Sequence, residues 1–316
     1  MPVTLAEAQR NAPNAIDVSV IDEFRANPLL DLLTFEDAVS PTGGGTLGYT
    51  YRRIVTSGSA AFRAINSEYV PTEVTTEPKS VELKPLGGSF QVDRVVGRVG
   101  PAASGAVALN MSQKVKAARA FFGDQFINGD SSVDANGFDG LDKLLSGSTT
   151  EVDGSGEDWS TLTEASSQDV IDFLDEFLGV LDGAPGAIIG NKRSLARVRS
   201  AARRAGYYDR NPGAAGTSIE TYAGVTLIDA GQKAGSNTDV IPVTAGLTDI
   251  YAVRYGLDGV HGVSMAGAPL VQTWLPDFST PGAVKTGEVE MGPVGIAVKA
   301  TKSAAVLRNV RVSAAV

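Results

Sequence analysis

The chain has 316 residues, a formal net charge of −9, no cysteine and a single histidine, His261. The length suits roughly two or three domains around a sizeable core. The charge excludes tight nucleic-acid wrapping by the whole surface, because phosphate contacts call for basic residues. The cysteine count excludes disulfides and thiolate metal sites, and one histidine excludes a paired-histidine metal site within a chain.

A Ser-His-Asp triad would have to use His261. It stands in "DGVHGVSMAG", a glycine-punctuated stretch with no helix and no nucleophile elbow. A surface or turn histidine is expected there. The start of the chain has no basic segment followed by an apolar one, so a signal peptide is not expected. No apolar run approaches the ~20 residues that span a bilayer. A soluble protein made in a cytoplasm is expected, with no membrane partner, no metal and no cofactor.

Residues 1–40 carry Glu7, Asp17, Asp22, Glu23, Asp31, Glu36 and Asp37 against Arg10 and Arg25. Within them, "VIDEFRANPLLDLLTF" predicts a short amphipathic helix broken near Pro28, then a second short turn. Two such pieces cannot form a core alone and should lie on something else. "SPTGGGTLGYTYRRIVTSG" starts as a turn cluster and predicts a strand from Tyr49 to Thr56. Gly43, Gly45 and Gly48 match G-x-G-x-x-G, but a dinucleotide site has its strand before the glycines and a helix after. Here the strand follows, so the glycines read as a connector.

Residues 66–98 read as an extended, polar hairpin punctuated by Pro71, Pro78 and Pro85, with a bend at Gly87-Gly88. An isolated two-stranded ribbon is marginal in water, so it calls for a partner surface. Next comes the strongest helix, expected from about Leu109 to Ile127, roughly 28 Å long at ~1.5 Å per residue. Met111, Val115, Ala118, Phe122 and Phe126 form its apolar stripe, and Lys114, Lys116 and Arg119 share the other side.

The segment "FINGDSSVDANGFDGL" (126–141) is dense in carboxylates and glycines. A calcium loop of the D-x-[DN]-x-[DN]-G type carries a bidentate glutamate about twelve positions from its start. Aligning its glycine on Gly137 puts neutral Ser132 first and Lys143 in the glutamate's place. The calcium reading fails at both positions. A helix terminus remains, with left-handed residues expected at Asn128 and Gly129, and with Phe138 and Leu141 returning the chain to the core.

Further on, Ser166 or Ser167 is expected to cap "QDVIDFLDEFLGVLDG", whose buried stripe is Val170, Leu174, Phe177 and Leu181. "GAIIGN" predicts a short buried strand. "KRSLARVRSAARRAGYYD" predicts a helix with Ser194 as cap and Gly206 as terminator. It carries Lys192, Arg193, Arg197, Arg199, Arg203 and Arg204, with no acid before Asp209. Without interleaved aromatics, this basic face reads as solvated or paired with acids of a neighbouring subunit rather than as a nucleic-acid patch. Strands dominate from residue 217 on. The alternation of Val294, Ile296 and Val298 predicts a half-buried one.

The order of elements resembles the major capsid protein of tailed bacteriophages, a shell fold shared with encapsulins. Phe126, Gly129, Asp130, Gly137, Gly140 and Leu141 are similar to that family's F-x-x-G-D-like helix end and G-x-x-G-L-like return. "TYAGVTLIDAG" (221–231) is similar to its G-x-P-V strand, with Val225-Thr226 where Pro-Val is commoner. The resemblance implies an α+β fold with five parts. These are an N-terminal arm (1–47), an extended loop (48–101), a peripheral domain with a long spine helix (102–155), an axial domain (156–262) and a return to peripheral strands (263–316).

It further implies a shell of pentamers and hexamers enclosing double-stranded DNA without sequence-specific binding. A portal and a decoration protein are implied partners, and because no large assembly domain is read before the arm, the resemblance implies either a separate scaffolding protein or a processed form of the chain. Assembly in a bacterial host cytoplasm is implied, and the virion is the final location. Contacts between subunits are expected at Phe24, Leu29, Glu68, Glu73, Lys79, Glu82, Lys84, Arg94, Arg197, Arg203 and Arg204. Some relatives join lysine to asparagine covalently. Lys79 and Lys84 lie in the right loop, but no matching asparagine is evident. On this reading, deleting residues 68–96 should leave a folded subunit that assembles poorly. An encapsulin-type compartment is the nearest alternative. A carboxylate-dependent hydrolase is the enzymatic one, although no paired-carboxylate motif stands out among the 36 acidic residues.

Overall fold

The computed structural model describes residues 2–3, 29–39, 47–56, 58–96, 101–206, 209–212, 218–267 and 269–314. Phe24 and the first predicted arm helix lie outside them. Among the described residues the elements form two sheets and one projecting ribbon, in keeping with the expected α+β class.

The first sheet is built on β14 (Val284–Val298), which pairs antiparallel with β5 (Lys84–Asp93) on one side. On the other side it pairs with β12 (Val260–Met265) and β13 (Val271–Trp274). β2 (Phe35–Val39) adds parallel to β12, and β1 (Pro2–Val3) adds parallel to β5. The Gly87-Gly88 pair sits within strand β5 and makes no bend. A side chain on Gly87 would run into the carbonyl of Val289, so glycine there lets two strands approach.

α2 (Pro101–Asn128) lies on this sheet. At 28 residues it is about 42 Å long and starts eight residues before the predicted Leu109. The early turns are rich in alanine, glycine and serine, so they carry no apolar stripe to read. Pro101 at the first helical position is the start signal, since a proline there forgoes an N–H that would be unpaired anyway. Phe122, Phe126 and Ile127 are fully buried, with Phe122 ringed by Phe35 and Phe138.

The second sheet runs β6-β15-β11-β7-β10-β9-β8. Its strands are β6 (Glu151–Asp153), β7 (Ala187–Gly190), β8 (Asp209–Pro212), β9 (Ser218–Tyr222), β10 (Val225–Asp229), β11 (Leu247–Val253) and β15 (Ala304–Arg311). α4 (Glu164–Gly179) and α5 (Lys192–Ala205) cover one face, packing Leu174, Phe177, Leu195 and Val198 against Ile188, Ile250 and Leu307. The alternate residues Ala187, Ile189, Tyr251 and Val253 point the other way. They join one core with α2, α3 (Leu141–Leu145) and the short α1 (Leu29–Leu32). The strand period of two thus makes a single sheet serve both cores. This pairing departs from the expected domain division, because 151–153 and 304–311 are both strands of the second sheet.

Helix ends also differ from expectation. Thr163 caps α4 in a reciprocal box with Ser166, and Asn191 caps α5. In both cases the expected serine sits in the first turn, three or four residues too late; Ser166 and Ser194 are the third helical residues. Gly206 terminates α5 in the left-handed region at φ 81°, as the sequence indicates.

Candidate assembly surfaces

Among the described residues, β3 (Gly48–Thr56) and β4 (Thr75–Glu82) pair only with each other and form the projecting ribbon. Its nine-residue strand spans about 30 Å. The ribbon therefore begins at residue 48, while 84–93 belongs to the sheet below and not to the hairpin read over 66–98. The sequence showed one polar stretch, and only the pairing partners divide it.

The ribbon is fastened at its root. Tyr51 donates to the Val298 carbonyl at 2.8 Å, and Arg53 donates to the Val298 and Lys299 carbonyls at 2.6 and 3.2 Å. Tyr49 donates to Glu36 Oε2 at 3.0 Å, and Lys299 Nζ reaches the same oxygen at 3.1 Å. Leu83, Tyr49, Tyr51 and Val81 pack over Val263 and Ala297. This covers the second face of β14, so residues 294–298 are buried on both faces rather than alternating.

His261 lies beneath this root and is fully buried, against the expectation of a surface or turn position. Its strand β12 is sandwiched between β14 and β2. Nε2 is 3.1 Å from Glu36 Oε2, but among the described residues neither ring nitrogen makes a well-aligned hydrogen bond. Burial and the nearby Lys299 ammonium hold its pKa below the ordinary histidine value, although Glu36 pulls the other way.

Beyond the root the ribbon leaves the protein. Residues 58–78 are exposed throughout, and Phe62, Ile65 and Val70 at the tip are 107, 91 and 86% accessible. Arg63 stacks over Tyr69 and holds the Ala64 and Ser67 carbonyls, so the tip has an internal frame. The bare apolar tip on its fastened stalk has no partner among the described residues.

The expected contact residues scatter. Glu68 and Glu73 are on the exposed tip. Lys79 pairs with Glu77 at 2.7 Å and Lys84 with Glu82 at 2.9 Å along the ribbon and its base. Arg94 follows β5, and Leu29 is fully buried in this chain's own core. Arg197 donates to the Val312 carbonyl, Arg204 donates to the Leu162 carbonyl, and Arg203 is exposed on α5.

The loop after α2 contains its own cation. Lys143 Nζ lies 2.6 Å from Asp130 Oδ1 and 2.9 Å from Asp139 Oδ1. Asn128 and Gly129 do not adopt left-handed backbone, contrary to expectation. Glycine is needed at 129 and 140 because the two strands of the turn touch: Gly140 donates to the Gly129 carbonyl at 2.8 Å, and a side chain at either position meets the backbone of Gln125. Phe138 and Leu141 are buried, as the sequence indicates.

No family model matches the sequence, and no curated protein matches it either. Solved structures do match along the whole chain. The holo-SrpI encapsulin complex of Synechococcus elongatus PCC 7942 is 18% identical with a TM-score of 0.59, covering 99% of this chain and 97% of its own. The capsid of the native GTA particle is 14% identical with a TM-score of 0.60, covering 96% and 97%. The capsid of Myoviridae phage XM1 is 13% identical with a TM-score of 0.57, covering 97% and 98%. The chain has the fold these shell proteins share.

Proposed function

We propose that this chain is the major subunit of a closed protein shell, a tailed-phage head built from pentamers and hexamers around double-stranded DNA. The observation that carries the reading is the ribbon of residues 48–82, fastened at its root and bare at its apolar tip. Such a device is of use only when a neighbouring copy receives it. Repeating a modest contact around closed rings stabilises the whole. The net charge of −9 suits a wall that encloses DNA without gripping it. The role is structural, in the virion, after assembly in the bacterial host cytoplasm. A separate scaffolding protein, a portal and a decoration protein are the partners this role calls for.

The likeness to an encapsulin supports a second reading, a compartment around protein cargo. Negative-stain electron microscopy of the purified protein tests both. Closed shells, or rings of five and six, are expected, and a stable monomer would remove both readings. Nuclease-protected DNA inside shells isolated from the native host separates the head from the compartment.

A further inference from the structure

The ribbon and the long helix α2 lie on opposite faces of the first sheet. Side chains along β14 alternate. Val294, Ile296 and Val298 point to the core shared with Phe122 and Phe126 of α2, while Ala297, with Val263 of β12, points to the ribbon root. On the α2 face a groove of about 400 Å³ stays open among the described residues. Leu30, Leu33, Phe35, Val115, Leu270 and Met291 line it, and Arg119 is the one charged residue among its described walls. The crevices beside Arg308, Lys84 and Glu288 are each lined by several charged side chains instead.

The tip supplies apolar groups of the kind that groove would take. Phe62, Ile65 and Val70 are almost fully accessible on it. Its form is set before any contact. The Ser67 hydroxyl and N–H both donate to the Ala64 carbonyl, at 2.9 and 3.2 Å, and Asn66 takes the left-handed backbone of that turn at φ 67°. A preformed element gives up little freedom on docking.

We infer that the apolar tip of one copy is seated in the α2 groove of a neighbouring copy. The inference rests on the shell reading and names the surface that receives the ribbon. Tyr51 and Arg53 fix the root to one face of the sheet, so the sheet itself stands between a tip and its own groove. With knob and groove on opposite faces, each copy gives its tip to one neighbour and receives a tip from another. Such a heterologous contact travels around a ring and does not close as a two-fold pair. Three side chains make a small patch beside the roughly 1,200–2,000 Å² of a stable pairwise interface. The contact therefore holds where ring closure repeats it.

Disulfide trapping tests this, because the chain has no cysteine of its own. Ile65→Cys places a thiol on the tip and Val115→Cys one on the groove wall. Val133→Cys places one on a loop that is 85% exposed and outside the groove. A disulfide joins only residues whose Cα atoms come within about 7 Å. Shells assembled from an equimolar mixture of Ile65→Cys and Val115→Cys chains, then oxidised, should give covalent pairs on a non-reducing gel. The double variant Ile65→Cys/Val115→Cys should give chains linked into rings of five and six. Ile65→Cys mixed with Val133→Cys should stay unlinked.

Closed shells in which Ile65→Cys and Val115→Cys remain unlinked overturn the inference, and so does an equally fast link to Val133→Cys. A link within single chains of the double variant overturns it too, since the ribbon would then reach its own groove. Should the thiol variants fail to assemble, Ala118→Glu decides by placing a charge in the groove. It should raise the protein concentration needed for assembly by about tenfold or more. Adding Phe62→Ser should raise it little further, because both changes remove one contact; fully additive effects overturn the docking. A wild-type chain that forms no rings or shells removes the shell reading itself, which keeps the two failures apart.

Discussion

His261 is held without a good hydrogen bond because its strand lies between two others and its Glu36 neighbour is already claimed by Tyr49 and Lys299. The neutral imidazole is the form that fits. A histidine whose folded pKa is depressed contributes stability that is present above its unfolded value, near ~6.5, and lost as pH falls below it. Thermal melting of the dissociated subunit should therefore be level from about pH 8 to 7 and decline below about 6.5. His261→Gln should remove that decline. The Glu36 carboxyl, lowered chiefly by its Lys299 hydrogen bond, acts in a separate window below its ordinary value of 4.5. A melting temperature unmoved between about pH 7 and 5.5 would show that the site accommodates the charged ring. Lys143 makes the opposite case, a charge that is well served. Its hydrogen bond, with those from Ser132, holds the Asp130 carboxyl at about 2. In Lys143→Met, an NMR titration should find that carboxyl moved toward 3.8, and a value still near 2 would credit Ser132 alone.

At the scale of elements, Asn191 shows how a cap can hold more than its helix. Its Oδ1 accepts from the Ser194 N–H at 2.8 Å, while Nδ2 donates to Thr248 Oγ1 at 2.6 Å and the Ile241 carbonyl at 3.2 Å. Asn191→Ala loses the cap and leaves the Ile241 carbonyl without that donor, a cost of about 2–3 kcal/mol. Ser194→Ala loses only a hydroxyl that donates to the Asn191 carbonyl, a cost of about 1 kcal/mol. Urea unfolding should rank them in that order; the reverse would restore Ser194 as the cap. The apolar stripes of α2, α4 and α5 were legible because helical spacing is written within a dozen residues. The caps were not, since serine suits both the cap and the first turn. Nor was the full burial of 294–298 legible, because the residues that cover its second face stand more than 200 positions away. His261 was misplaced for the same reason: the sequence showed the glycines around it, while its burial comes from β2 and the ribbon root.

At the scale of the whole molecule, the ribbon tip lies apart from what folding needs, which makes its proposed role in assembly testable. The deletion of 68–96 that the sequence favoured as a test removes β5, with Leu86, Phe90 and Val92 buried in the first sheet. It would unfold the subunit and say nothing about assembly. The informative cut is narrower. Phe62, Ile65 and Val70 touch solvent almost entirely, so replacing each with serine costs the isolated subunit no more than about 0.5 kcal/mol per position. On the proposed shell reading the same side chains would be buried against another copy, and each buried side chain of this kind is worth about 1.5–3 kcal/mol. The variant should thus melt with the wild type as a dissociated subunit and fail to form closed shells at wild-type assembly concentrations. Calorimetry and electron microscopy on one preparation give both readouts. Full-yield shells from the triple variant would mean that the tip stays exposed after assembly. A lowered melting temperature would mean that it has a partner within its own chain. Either result would detach the ribbon from the role its exposure assigns to it.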